Sequence, residues 1–206
     1  MTAPNIAAPA GQPAAVTIRP ATEADMNAIA AIYRHHVLHG TATFETEAPS
    51  AEDMRQRRTA ILERGLPYLV AEGADGSVIG YAYAGAYRPR PAYRNTLENS
   101  VYIKEEARGR GIGRRLLRAL IEECTVLGYR QMVAVIGDSA NEASIRLHRA
   151  FGFELTGTLR SVGRKHGRWL DTVLMQKALG DGDGSAPAAE QLPGDRLPGP
   201  HGQEPR

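Results

Sequence analysis

The stretch EEARGRGIGRRLL, from Glu105 to Leu117, joins a β-rich segment to an apolar helical pattern through a turn that contains three glycines. Glycine has no Cβ, so backbone N–H groups in such a turn can converge on an anion at the N-terminus of the helix that follows. Arginine side chains add positive charge around the turn. The stretch therefore predicts a strand–turn–helix unit with a phosphate site. Its glycines are Gly109, Gly111 and Gly113, and its arginines are Arg108, Arg110, Arg114 and Arg115.

Two common phosphate loops do not fit this spacing. A Walker loop needs a lysine followed by Ser or Thr after its last glycine, and neither is present. A dinucleotide fingerprint counted from Gly109 would need a glycine where Arg114 stands. The pattern that fits is Arg-x-x-Gly-x-Gly, from Arg108 to Gly113. The alternative for this segment is a glycine-rich loop with solvated arginines.

Composition narrows the class of protein. A chain of 206 residues can bury one large core but not two comfortable ones. The net charge of +2 does not indicate nonspecific binding to nucleic acid. A single cysteine, Cys124, excludes an intramolecular disulfide and a cysteine-based zinc site, which favours a cytoplasmic setting. The N-terminal residues do not form a signal peptide, and no apolar stretch is long enough to cross a bilayer.

Both ends of the chain differ from its middle. Residues 1–15 are rich in Pro and Ala, and residues 180–206 are rich in Gly, Pro, Asp and Gln without aromatic or β-branched side chains. Such segments cannot bury enough surface to offset the entropy lost on ordering. We therefore predict a disordered N-terminal tail over 1–15, one folded domain over 16–179, and a disordered C-terminal tail over 180–206.

The pattern between the tails predicts the element order β-α-α-β-β-β-α-β-α-β-β. The first helix should bury Met26, Ile29, Tyr33 and Val37, because these residues fall on one helical face. This order has no internal repeat and is not a run of alternating βα units, so it indicates an α/β fold with a mixed sheet. Strands are expected over 96–103 and 131–137, the second of them central because it is apolar on both faces.

Three finer expectations concern element ends. The second helix should begin after Ser50 and direct Leu62 inward, together with Met54 and Ile61. The tetrapeptide from Ser139 to Glu142 has the form of a capping box. Two final strands are expected over 153–159 and 170–176, with an irregular segment between them.

The loop and a second motif resemble those of the GCN5-related N-acetyltransferase (GNAT) superfamily. Arg-x-x-Gly-x-Gly is similar to its pyrophosphate loop, and NEASIRLHRAFGF, Asn141 to Phe153, is similar to its second coenzyme A motif. The element order matches as well. The resemblance implies a mixed, mostly antiparallel central sheet flanked by about four helices, and acetyl-CoA as cosubstrate without a metal.

The segments TATFETE, AYAGAYRPRPAYRNTLENSVYI and SVGRKHGRWLD narrow the resemblance to the phosphinothricin and methionine sulfoximine or sulfone acetyltransferase branch. It extends over nearly the whole folded domain, from Ile18 to about Gln176. It implies transfer of acetyl to the α-amine of a small amino-acid analogue, and a homodimer. No nucleic acid or membrane partner is expected. The segment from Arg164 to Trp169 matches the branch at a place near the site or the dimer interface.

The resemblance also assigns catalytic roles. Glu98 matches the glutamate that acts as general base, because an α-ammonium group must lose a proton before it attacks a thioester. His148 stands where many members carry a tyrosine that protonates the departing thiolate. The alternatives are a solvent-facing strand glutamate and a packed helix histidine.

The coenzyme should be held by two further groups of residues. The backbone of Val101, Tyr102 and Ile103 should contact the acetyl and pantetheine portions, and a backbone N–H there would stabilise an oxyanion. Asn141 should bind the pantetheine amides, with Ser144 in support, although Asn141 could also cap the helix. The pyrophosphate loop contributes Arg108, Gly109, Arg110, Gly111, Ile112, Gly113 and Arg114.

The acceptor should meet Phe44, Arg88, Arg90 and Tyr93, since these residues match the branch's substrate pocket and guanidinium groups suit oxyanions. For the arginines a solvated loop is the alternative. Two other functions stay open: a protein or peptide acetyltransferase of the same fold, and a noncatalytic module that binds coenzyme A or nucleic acid through its arginines.

Overall fold

Seven strands form one sheet in the order β1-β2-β3-β4-β5-β7-β6 in a computed structural model that describes residues 16–187. The strands are β1 Thr17–Pro20, β2 Tyr68–Glu72, β3 Val78–Ala86, β4 Thr96–Ile103, β5 Gln131–Gly137, β6 Glu154–Lys165 and β7 Arg168–Ala178. All neighbouring strands are antiparallel except β4 and β5. The helices are α1 Met26–His39, α2 Ala51–Glu63, α3 Ile112–Val126 and α4 Glu142–Arg149.

This architecture confirms the predicted element order and the mixed, mostly antiparallel sheet with four helices. Strand β4 has the predicted bounds, and β5 is central, between β4 and β7. Three short 3-10 helices, Glu23–Asp25, Pro91–Tyr93 and Glu105–Ala107, complete the described elements. None of the helices formed by residues 16–187 combines the length and apolar composition that a bilayer crossing requires.

The sheet separates two apolar cores. Helix α1 buries Met26, Ile29, Tyr33 and Val37, as its periodicity predicts, against tyrosines of β2, β3 and β4. On the other face, α3 packs the apolar side chains at 116, 117, 120 and 124 against the sheet. Burial raises the pKa of the Cys124 thiol to about 12, so this side chain is a core residue and not a nucleophile near neutral pH.

Two expectations about helices are wrong. Ser50 does cap α2 by accepting from the Asp53 N–H, and Met54 is buried, but Leu62 is 41% exposed because it lies off the buried face of α2. The capping box at Ser139 does not form: the Ser139 hydroxyl donates to Asp171, 2.8 Å away. Helix α4 is capped instead by Asn141, whose side chain accepts from the Ser144 N–H.

The expected break between the last two strands is also wrong. Strands β6 and β7 continue to Lys165 and Arg168, and only His166 and Gly167 connect them. Both connecting residues have positive φ, +50° and +76°, as a tight hairpin turn of two residues requires. Two register shifts in β6 absorb its glycines and the positive φ of Ser161, which explains why the segment looks irregular as sequence.

The domain boundaries stay a prediction. Residues 180–187 form turns beyond β7, where Arg130 donates to the carbonyl oxygens of Gly182 and Ala186. The predicted tail over 1–15 and the part of the C-terminal tail over 188–206 lie outside the described residues.

Candidate active site

A cleft opens where the two parallel strands of the sheet part. The pairing of β4 with β5 ends at Asn99 and Ala134, and beyond this point the two strands separate. Val135, in the middle of β5, is therefore 38% exposed although its strand is central. The cleft has a volume of about 820 Å³ and is lined by β4, the glycine turn, the end of β5, and α4.

The free edge of β4 presents backbone polar groups to this cleft. The Tyr87 N–H donates to Thr96 O, and the Lys104 N–H donates to Ile79 O. At both ends of the β3–β4 pairing, the hydrogen bonds to β3 are therefore made by even-numbered residues of β4 or just beyond it. Hydrogen bonding alternates along an antiparallel pair. The backbone of Tyr102 is thus directed to β3, whereas the backbones of Val101 and Ile103 face the cleft.

The glycine turn forms a concave floor at the start of α3. Gly109 and Gly111 have φ of +73° and +75°, a region that side chains disfavour, and a Cβ at either position would meet no atom within 4 Å. Their backbone therefore faces open space at a helix N-terminus, where anions are favoured. Gly113 has another role: a Cβ there would lie 3.3 Å from Leu147, so this glycine lets α3 approach α4.

The arginines around the turn divide into two groups. Arg108 and Arg114 line the cleft together with Gly109, Gly111, Ile112 and Gly113, whereas Arg110 is exposed and outside the lining. Arg108 pairs with Glu105 at 2.8 Å, and Arg114 lies over the ring of Phe151 at 5.5 Å. All four arginines of the segment therefore surround an anion-accepting turn, but only two of them reach the cleft.

Helix α4 contributes a buried histidine to the cleft wall. His148 is 4% exposed, with Nδ1 2.9 Å from Ser144 O and Nε2 2.9 Å from Asn99 Oδ1. Burial lowers its pKa, and the Ser144 carbonyl opposes that change. Asn141 and Ser144 line the same wall, one turn or more before His148.

Glu98 lies on the opposite face of the sheet from His148. Side chains alternate along a strand, so Glu98, Ser100 and Tyr102 share the face that carries α1 and α2, while Asn99 shares the face that carries α4. Glu98 is half-buried, and burial raises the pKa of its carboxyl. Glu98 does not line the cleft, whereas the next two residues of β4, Asn99 and Ser100, do.

The four residues predicted to contact an acceptor do not line the cleft and come from two exposed loops. Arg88 stacks over Tyr87 at 5.1 Å, and Tyr93 contacts the same ring edge-on at 5.7 Å. This loop leads into β4 two residues before Glu98. Arg90 is exposed in the same loop. Phe44, 40% exposed, packs on Gly163 of β6.

The loop that carries Phe44 is fixed from three sides. The Tyr33 hydroxyl bonds Thr43 and Glu45, each at 2.9 Å, and Arg57 pairs with Glu45 at 2.6 Å. Lys165, buried at the tip of the β6–β7 hairpin, donates to Thr43 O at 2.8 Å. Thr41 and Ala42 of the same loop line the cleft, so the loop connects the cleft to the surface that carries Phe44.

Sequence reasoning missed three residues in or beside the cleft. Asn99 carried no signal because its neighbour on α4 is distant in sequence. His36 lines the cleft and its Nε2–H donates to Ile103 O at 2.9 Å. Arg168 lines the cleft and donates to Asp138. Burial opposes ionisation of the Asp138 carboxyl, but hydrogen bonds from the Ala140 N–H and Arg168 outweigh burial and lower the pKa of Asp138. Asn99 and Arg168 lie within segments that the sequence singled out, whereas His36 does not.

No group of three or more His, Cys, Asp or Glu side chains among residues 16–187 is placed to hold a metal ion. The chemistry that these residues offer is therefore that of carboxylate, imidazole and backbone N–H groups around a long cleft with an anion-accepting floor.

Comparisons with known proteins converge on one family. The profile of the acetyltransferase (GNAT) domain matches residues 18–174. Phosphinothricin N-acetyltransferase of Alcaligenes faecalis is 54% identical over 173 residues, which cover 84% of this chain and 87% of that protein. L-methionine sulfoximine/L-methionine sulfone acetyltransferase of Pseudomonas paraeruginosa is 44% identical, with 83% and 98% covered.

A solved structure agrees with both the family and the fold. The GNAT superfamily phosphinothricin acetyltransferase of Sinorhizobium meliloti, crystallised with AcCoA, is 50% identical and superposes with a TM-score of 0.85. The match covers 87% of this chain and 97% of that one.

Proposed function

The chain belongs to the GNAT acetyltransferase family and is an acetyl-CoA-dependent N-acetyltransferase, and from that premise we propose that it acetylates the α-amine of a small amino-acid analogue of the phosphinothricin, methionine sulfone or methionine sulfoximine type. The observation that carries the proposal is the 54% identity over 84% of the chain to a phosphinothricin N-acetyltransferase. The arrangement of Glu98 and the two exposed loops supports it.

The cleft fits coenzyme A. The turn at Gly109 and Gly111 offers open backbone at a helix N-terminus to a pyrophosphate. The backbone groups of Val101 and Ile103 point away from β3 toward the cleft, and the β4–β5 pairing ends before them, which suits the amides of pantetheine. The Ile103 oxygen already accepts from His36. Arg108 and Arg114 supply positive charge at the floor, and Asn141 and Ser144 complete the wall. The coenzyme, when bound, supplies an activated acetyl thioester.

Glu98 is assigned the general base and His148 the general acid. Burial raises the pKa of Glu98 and so makes it a stronger base than an exposed glutamate. The Val101 N–H, on the free edge of β4, is suited to polarise the thioester carbonyl. His148 lies on the α4 side of the sheet and Glu98 on the other, so the base faces an acceptor while the acid stays beside the coenzyme.

Arg88 and Arg90 are assigned to the acceptor's oxyanion, and Phe44 and Tyr93 to its apolar contacts. The loop before β4 carries the two arginines and Tyr93 within ten residues of Glu98 along the chain. Guanidinium groups bind phosphinate, sulfone and carboxylate oxygens in bidentate geometry. An acceptor that carries a phosphinate or sulfone group besides its α-carboxylate would therefore be held by the loops while its amine reaches Glu98.

A thiol-release assay over a panel of amines tests the acceptor. We expect the highest kcat/KM for phosphinothricin, methionine sulfone or methionine sulfoximine, a lower value for ordinary amino acids, and none above background for peptides with free N-termini or lysines. Mass spectrometry of the product should place the acetyl group on the α-nitrogen. Activity confined to peptides would contradict the proposal and favour a protein acetyltransferase.

We assign the homodimer interface to the edge strand of the sheet. Strand β6 is at one edge of the sheet and has no strand partner on its outer side among the described residues. Leu155, Leu159 and Val162 are 58%, 50% and 54% exposed along this strand. Trp169 of β7 is 63% exposed beside them. A long apolar edge of this kind pairs with another chain or aggregates.

Light scattering after size exclusion tests this interface. We expect a dimer for the natural protein and a monomer for Val162→Glu, because a charge would be buried without a partner at the interface. Val126→Glu is the matched control, since Val126 is 88% exposed on α3, away from the edge strand. A Val162→Glu protein that elutes as a dimer would place the interface elsewhere.

A further inference from the structure

The imidazole of His148 lies between two oxygen atoms. Its Nδ1 is 2.9 Å from the backbone oxygen of Ser144, and its Nε2 is 2.9 Å from Oδ1 of Asn99. Asn99 is 6% exposed and His148 is 4% exposed, so water does not replace either contact. Phe153 closes one side of the ring edge-on, with the centroids 4.9 Å apart. The ring is therefore fixed in orientation, and both of its nitrogens have oxygen partners.

The orientation of the Asn99 amide is set by a third group. Its Nδ2 donates to the backbone oxygen of Val133 at 3.1 Å. A carbonyl oxygen only accepts, so the amide nitrogen must face Val133 and the amide oxygen must face His148. Turning the amide over would place its oxygen against the Val133 carbonyl oxygen, and two acceptors in contact at a buried position are unfavourable.

These partners match one protonation state of the ring. A neutral imidazole has a single N–H. With the proton on Nδ1, the lone pair of Nε2 faces the oxygen of Asn99. With the proton on Nε2, the lone pair of Nδ1 faces the Ser144 carbonyl, and its only donor is the Ser144 hydroxyl at a longer 3.3 Å. The imidazolium, with both N–H groups, donates to both oxygens.

We propose that Asn99 is a positioning residue that stabilises the imidazolium form of His148 and aims its Nε2 proton into the cleft wall. This rests on the proposed function, in which His148 is the general acid. Hydrogen bonds that a charged form donates favour that form and oppose the effect of burial, which lowers the pKa of the ring. The two oxygen partners therefore retain a larger fraction of the imidazolium than burial alone would leave.

The charged side chains on the surrounding elements do not face the ring. Glu98 is on the opposite face of β4, and β5 carries no charged residue between 131 and 137. On the remaining elements most charged side chains are exposed or lie over Phe151: Glu142, Arg146, Arg149, Glu154, Arg114 and Arg118. Lys177 of β7 is half-buried, with its Nζ beside Gly152. The protonation of His148 is thus controlled by its two oxygen partners and by burial.

The proton balance of the step follows from this geometry. When the thioester C–S bond breaks, its electron pair remains on sulfur. The Nε2–H of His148 leaves its hydrogen bond to Asn99 Oδ1, and the proton moves to that sulfur. The ring is left neutral with its proton on Nδ1, still bonded to the Ser144 carbonyl. Nε2 regains a proton from solvent before the next turnover, and the new Nε2–H again donates a hydrogen bond to the Asn99 oxygen.

Two substitutions at one position should shift the pKa of His148 in opposite directions. Asn99→Leu removes the acceptor, so the pKa should fall by about one to two units. Asn99→Asp places a carboxylate there, so the pKa should rise. Titration of ¹⁵N-labelled histidine by NMR measures both, with the His148 signals among the six histidines assigned by His148→Gln. If Asn99→Leu does not fold, Asn99→Ala removes the same acceptor with less bulk.

Kinetics separates this proposal from the function it rests on. The alkaline limb of the kcat profile should move to lower pH in Asn99→Leu and to higher pH in Asn99→Asp. Shifts of the pKa in the same direction, or a neutral ring in the natural protein at pH 6, would overturn the role of Asn99. If the pKa of His148 shifts in opposite directions in the NMR titration while the pH profile of kcat does not move, the role of Asn99 is supported. The same result would refute His148 as the general acid.

Discussion

Glu98→Gln is expected to lower kcat/KM for acetyl transfer by about 10²- to 10⁴-fold, because glutamine keeps the shape of the side chain but cannot accept the proton of the acceptor amine. Coenzyme A should bind as before, since Glu98 lies outside the cleft lining. Thiol-release rates and calorimetric titration with coenzyme A measure the two quantities. The matched control is Glu106→Gln, an exposed glutamate in the turn before α3, which should leave both unchanged.

The pH dependence gives the same substitution a second readout. The base works only when ionised, and burial raises the pKa of Glu98 above the usual 4.5. Activity should therefore increase as pH rises through this raised pKa and be lost as pH falls below it. In Glu98→Gln that acid limb should disappear. Retention of more than about a tenth of the natural rate would show that another group or bulk water removes the proton.

Gly137→Ala should have the largest effect on stability among the glycine substitutions in the cleft. A Cβ at Gly137 would overlap the carbonyl oxygen of Thr41 and lie 3.2 Å from the carbonyl carbon of Ala42. Both partners are backbone, so the loop as a whole would have to move. Overpacking of this kind costs about 1–3 kcal/mol of unfolding free energy. Because the same loop carries Phe44, the KM for the acceptor should also rise.

Urea denaturation and steady-state kinetics measure these effects. Gly85→Ala is the control for stability, because Gly85 also lies in a strand but a Cβ there would meet no atom within 4 Å. Its unfolding free energy should match or exceed that of the natural protein. Equal stability of the two variants would mean that the loop at 41–42 adjusts without loss, and an unchanged KM would separate the loop from acceptor binding.

The sequence predicts this fold well where a local pattern determines the structure. The helical face of α1, the bounds of β4 and the cap at Ser50 depend on residues a few positions apart, and each is as expected. The glycine turn is predictable for the same reason, because glycine is the residue that readily adopts the positive φ found at Gly109 and Gly111. The strands β6 and β7 are both predicted, but their full extent and the two-residue turn between them are not, because register shifts hide the alternation of side chains.

The candidate site depends on contacts between distant segments, which a pattern in one segment cannot contain. Asn99 and His148 are 49 positions apart, and only the packing of α4 on the sheet shows that they bond. Arg168 meets Asp138 for the same reason. The cleft forms where β4 separates from β5. The sequence pattern of each of these two strands is that of an ordinary buried strand and does not indicate the separation. Motifs identify the coenzyme loop, but three-dimensional packing determines which groups surround it.

The alternation along β4 makes the two substrates of this enzyme separately adjustable. In the proposed mechanism, odd positions carry Asn99, which contacts the acid His148, and the cleft-facing backbone. Even positions carry Glu98, Ser100 and Tyr102 on the other face. A designer who wants a new acceptor can therefore randomise Tyr83, the cross-strand neighbour of Ser100, without altering a side chain that lines the cleft. A single inserted residue would exchange the two sets, so this strand tolerates substitution far better than insertion.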